Sequence, residues 1–167
     1  LTLLTSQTVS MDLATLAVPA DRLGHSNYDE VSWWLEVYAD GGATASNATI
    51  NVTYDDASTG NLAAIAVGGT LRASRMIPLI PAVQGRLIKG INTVILSAST
   101  GTAGNFGFTA TRQKAVLPLD IANRSQVFDW AQIGHPDIPN DSCLQMIVQT
   151  PTTSTGTLRG AVKITNG

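Results

Sequence analysis

Apolar and polar residues alternate along much of this chain with a period of two, the spacing of a strand that buries one face. In SWWLEVYAD (residues 32–40), Trp33, Leu35, Val37 and Ala39 fall on one side and Trp34, Glu36, Tyr38 and Asp40 on the other, before Gly41 and Gly42 end the run. Residues 49–55 repeat the pattern, with Ile50, Val52 and Tyr54 opposed to Thr49, Asn51, Thr53 and Asp55. A turn-forming DDASTGN (55–61) and the pair Gly68 and Gly69 bracket a further strand at 62–67. Similar runs predict strands near 9–13 and at 74–80, 93–98, 106–112, 144–150 and 158–165. Pro78 and Pro81 push the 74–80 region toward an edge strand or a strand end, because proline cannot donate to a ladder. Eight or nine short strands with little helical periodicity predict an all-β chain: an antiparallel β-sandwich, jelly-roll-like because its crossings are long.

Two stretches break the rhythm. Residues 117–140 carry Pro118, Pro136 and Pro139 with little alternation, and read as a long crossing connection with one helical turn at 123–130, capped by Asn123 or Ser125. In SASTGTAGNFGF (97–108), Gly101, Gly104 and Gly107 form neither a dinucleotide fingerprint nor a P-loop, and no Lys-Ser/Thr follows. A phosphate cradle needs a helix N-terminus after the loop, whereas alternation resumes here. The expectation is a β-hairpin joining 93–98 to 106–112, with glycines at φ > 0 positions.

At 167 residues, the chain has the size of one domain, 1–167, able to bury about 70% of its extended surface. It begins at Leu1 rather than Met, which raises the expectation of a preceding N-terminal arm. Charged residues are only 13% and apolar ones 44%, so the predicted surface is polar but weakly charged. The net charge is -2 and the basic residues are scattered, which argues against nucleic acid as a partner. No run approaches the ~18 apolar residues of a membrane span. The single cysteine, Cys143, excludes an internal disulfide and reads as a small buried hydrophobe.

Candidate chemistry is thin. His25 and His135 stand beside Asp29-Glu30 and Asp137, but neither has a second ligand at metal spacing, and no Gly-x-Ser-x-Gly or His-Glu-x-x-His occurs. Asp55 and Asp56, and the group Asp137, Asn140 and Asp141, offer oxygens to Ca²⁺ without matching an EF-hand, and Asx-turn chemistry accounts for both. Asn-x-Ser/Thr triplets begin at Asn47, Asn51, Asn123 and Asn140, a number close to chance in a chain this rich in Ser and Thr. Asp29 and Glu30 face opposite ways on an extended strand and make a poor glycosidase pair. The reading assigns no catalytic, cofactor or metal residue. Trp33, Trp34 and Trp130, with Tyr28, Tyr38 and Tyr54, offer a sugar-stacking platform, but adjacent Trp33 and Trp34 point to opposite faces, so only one enters the core and a buried subunit interface accounts for the other as well as a sugar does.

The succession VSWWLEVYADGGATASNATINVTYDD (31–56) and RASRMIPLIPAVQGRLIKGINTVILSASTGTAGNFGF (72–108) resembles structural proteins of tailed-bacteriophage virions. The resemblance covers about half the chain and implies assembly rather than catalysis: a decoration or minor capsid protein, oligomeric around a symmetry axis, a trimer among the options. Its implied partners are the major capsid protein, other virion proteins and its own copies, and its implied location is the virion. The contacts expected for that role are Trp34 and Tyr38 on the outer strand face, Trp130, and the proline-rich stretch with His135, Pro136 and Pro139. A carbohydrate-binding or receptor-binding module of a tail or fibre is the alternative, with Trp34, Tyr38 or Trp130 as its shelf.

Overall fold

A computed structural model of the chain describes residues 7–12, 31–69, 71–101, 104–118, 125–136, 138 and 142–148. Its strands are β1 (Gln7–Asp12), β2 (Val31–Ala39), β3 (Asn47–Tyr54), β4 (Thr59–Asn61), β5 (Ile65–Ala66), β6 (Met76–Pro78), β7 (Ile88–Leu96) and β8 (Asn105–Arg112). They form two antiparallel sheets, one of order β1-β7-β3-β4 with β5 also on β3, the other of order β6-β2-β8. The described residues are therefore all-β.

Both sheets feed one core. Trp33, Leu35 and Val37 of β2 meet Ile50, Val52 and Tyr54 of β3 and Ile88, Ile91, Val94 and Leu96 of β7. The alternation read from the sequence is what puts these residues on inward faces. Trp33 also donates its indole N–H to the carbonyl of Ile88 at 2.9 Å, tying one sheet to the other through the interior.

Strand β7 keeps its apolar residues inward by bulging. Asn51 pairs with Thr93 and Val52 with Ile91, leaving Asn92 as the extra residue, so Ile91 and Val94 both reach the core. Asn92 turns outward, donates to Asn51 Oδ1 and accepts from Thr53 Oγ1, while Asn51 donates to Asn61 Oδ1 at 2.7 Å. A chain of side-chain amides thus crosses the outer face of this sheet, and the amide of Asn51, which begins one of the Asn-x-Ser/Thr triplets, is engaged there.

The structure corrects several expectations. The hairpin expected between β7 and β8 is instead a crossing between sheets, since β7 pairs with β1 and β3 whereas β8 pairs with β2. Alternation alone does not distinguish the two, because both flanking strands bury one face either way. The loop hydroxyls fasten its start to β3, with Ser97 Oγ accepting from the Asn47 N–H at 2.9 Å and Ser46 donating to the Ala98 carbonyl. Its glycines do use left-handed backbone, at φ +97° for Gly101 and +120° for Gly104. The run 62–67 contracts to β5, with β4 preceding it, and 74–80 contracts to the short β6, which ends at Pro78 on a sheet edge. Residues 144–148 join no strand, and Cys143 is exposed rather than buried. The strand expected at 158–165, Asn123 and Pro139 lie outside the described residues.

Candidate assembly surface

The outer face of the three-stranded sheet is built from a diagonal series across β2 and β8. Trp34 donates its indole N–H to Thr111 Oγ1 at 2.7 Å, and Glu36 accepts from Thr109 Oγ1 at 2.6 Å. Tyr38 completes the series by lying over Gly107, where an added Cβ would sit 2.8 Å from the ring. A bulge between Val37 and Ala39 leaves Tyr38 as the extra residue and re-aims it. It also ends the inward series at Val37, so Ala39, expected inside, is exposed.

The two aromatics differ in availability. Tyr38 is 53% exposed, whereas Trp34 is only 7% exposed. Trp34 does point away from the shared core, as the alternation requires, but neighbours within its own chain cover it. It is therefore a packing residue, and the expectation of Trp34 as a surface contact is corrected.

A second group lies on the chain after β8. Asp129 Oδ1 accepts from the Gln132 N–H at 2.8 Å while Gln132 Oε1 accepts from the Asp129 N–H at 3.0 Å, a reciprocal cap. Gly134, at φ +84°, donates to the Ala131 carbonyl, and His135 donates its N–H to the Trp130 carbonyl at 3.0 Å. Those bonds close a single turn at both ends in a Schellman pattern. The helical turn expected at 123–130 thus sits a few residues later, capped by Asp129 rather than Asn123 or Ser125. The signal was present as DWAQ followed by glycine. This turn holds Trp130, 46% exposed, and brings the exposed His135 beside it; Pro136 is half-buried.

Most of the large exposed apolar side chains follow β8: Val116, Leu117, Val127, Trp130, Leu144, Met146 and Val148, with Val127 89% exposed. Gln145 Nε2 donates to Met76 Sδ at 3.4 Å, placing residues 144–148 beside β6. No hydrogen bond among the described residues joins the Tyr38 group to the Trp130 group.

Of the acidic candidates, Asp55 and Asp56 serve turns, while Asp137, Asn140 and Asp141 lie outside the described residues. Asp56 Oδ1 accepts from the backbone and hydroxyl of Ser58, its other oxygen pairs with Arg86 at 2.7 Å, and Asp55 Oδ1 accepts from the Leu87 N–H. The Ser58 bonds, chiefly its hydroxyl, hold the Asp56 carboxyl below the usual carboxylate range. At the other end of the body, the Ala73 N–H and then Arg72 do the same for Asp40. Among the described residues, no three His, Cys, Asp or Glu side chains gather, and no helix is long and apolar enough to cross a membrane. No protein-family model, curated protein or solved structure matches this chain.

Proposed function

We propose that this chain is a non-enzymatic structural protein of a phage virion, a decoration or minor capsid protein that binds and stabilises the shell through contacts between its own copies and capsid protein. The observation that carries the assembly reading is the run of exposed apolar side chains after β8. Left in water they gain nothing, whereas burial against a neighbour is worth about 25 cal/mol per Å². The virion setting is supported by the resemblance of residues 31–56 and 72–108. The chain changes sheet at every connection except those joining β3, β4 and β5, which suits a jelly-roll-like sandwich. The test is co-sedimentation with emptied shells of the phage that encodes the protein, together with sedimentation of the protein alone. Saturable shell binding is expected; a chain that neither binds shells nor self-associates overturns the reading.

One observation favours a second reading, a glycan-binding module. The exposed Tyr38 ring is laid against Gly107, and a flat aromatic face of this kind stacks on a pyranose. Gly107→Val displaces that ring cheaply, because Tyr38 is the flexible far end of the contact. Glycan-array signals lost in that variant support this reading, and an array without signals removes it.

A further inference from the structure

We infer that the free edge of β8 receives residues 144–148 of a second copy as an added strand, so that copies join head to tail. This rests on the assembly reading above and names the contact that would carry it.

Three observations point there. First, among the described residues β8 is an edge of the three-stranded sheet, paired only with β2, yet it lacks the devices that blunt exposed edges: residues 105–111 contain no charge and no proline over nearly its whole length of eight residues. The opposite edge, β6, is three residues long and ends in Pro78. Second, among the described residues no strand covers the core beyond β8. Phe106, Phe108 and Ala110 pack against the core but stay only partly buried, with the two phenyl rings edge to face at 6.2 Å. Third, Leu144, Met146 and Val148 are exposed, apolar and spaced by two, the pattern of a strand with no sheet to join.

Geometry favours a second copy as the donor. The Gln145–Met76 contact holds the segment beside β6, and β6 and β8 are opposite edges, about 10 Å apart at two strand spacings. A donor at one edge and an acceptor at the other make a heterologous contact, which closes into a ring when the rotation allows. In antiparallel addition, the orientation of every described pair of this fold, the register we propose sets Leu144 opposite Ala110, Met146 opposite Phe108 and Val148 opposite Phe106, the one that lays all three apolar side chains along the inward residues of β8. The apolar side chains then cover the half-exposed phenyl rings, and Cys143 falls opposite Thr111.

Two measurements on the full chain test this. Under reducing conditions, wild type should self-associate over a concentration series in the ultracentrifuge. The double variant Leu144→Glu and Met146→Glu should need at least about tenfold more protein to do so, a penalty of about 1.4 kcal/mol, while its thermal unfolding at low concentration is unchanged because both residues are exposed in the single chain. Separately, Thr111→Cys oxidised with glutathione disulfide should give chains linked between Cys143 and position 111 of the next copy, absent when Cys143→Ser is added. Wild type that stays monomeric overturns the inference, as does self-association indifferent to the glutamates or a disulfide closed within one chain. A monomer that still binds shells sinks only this inference, whereas loss of both activities sinks the assembly reading as well.

Discussion

Adjacent Trp33 and Trp34 show how much one residue of register decides. Trp33 enters the shared core and bonds the opposite sheet, while Trp34 is buried on the other side against Thr111. Trp34→Ala should therefore lower stability by about 3 kcal/mol in denaturant titration, the usual cost of emptying a buried aromatic site. A ring that served only a partner would leave the isolated chain unchanged. That the two rings oppose each other was legible from alternation; that Trp34 is covered was not, because its partner lies 77 residues away. Tyr54 gives the opposite sign. It is 1% exposed, its ring rests against Gly60, and its hydroxyl finds no hydrogen-bond partner among the described residues. Tyr54→Phe should stabilise the protein by about 1 kcal/mol, since an unpaired buried hydroxyl costs that order of free energy; an unchanged or lower denaturation midpoint would contradict the burial of a bare hydroxyl.

Among elements, the strands were legible where apolar side chains turn inward at every second residue, fully buried in β3 and from Trp33 through Val37 of β2 and partly buried in β8, and least where neighbours set the limits. Residues 144–148 have the period of a strand but no ladder, because a strand also needs an edge to join, and periodicity carries no information about that. The connection 97–104 was misread for a related reason, since the choice between hairpin and crossing depends on which sheet receives β8. The tight packing of loops at this end was also hidden. Gly68 lies so close to the segment leading into β3 that a Cβ there would be 2.1 Å from the Thr44 carbonyl oxygen and 2.8 Å from the Ser46 nitrogen. Both are backbone atoms fixed by the β3–β5 pairing nearby, so neither yields easily. Gly68→Ala should cost about 3 kcal/mol, at the upper end for overpacking, measured by equilibrium unfolding. A cost below about 0.5 kcal/mol, the range of ordinary surface changes, would mean that these loops are not packed as described.

For the molecule as a whole, the low share of charge leaves two exposed carboxylates with an outsized part in its response to acid. Asp40 ties the end of β2 to the segment before β6 through the Ala73 N–H and Arg72, and Asp56 fastens the β3–β4 turn to Arg86 at the other end of the body. Both carboxyls are held below their ordinary range in the folded chain, chiefly by hydrogen bonds from Ala73 and from Ser58. The unfolded chain therefore takes up protons first as pH falls, and the stabilisation is present above the ordinary carboxylate range. It declines as pH drops through that range and is gone below the folded values. Melting temperature should thus be flat near neutrality and fall in acid, and Asp40→Asn with Asp56→Asn should lower the neutral plateau while making the acid limb shallower. Because both groups are open to solvent, high salt should shrink the Arg72 and Arg86 contributions more than those of the Ala73 and Ser58 hydrogen bonds, which act over bonding distance. An acid limb of equal steepness in the double variant would place the acid sensitivity in other groups and leave these two loops without a part in it.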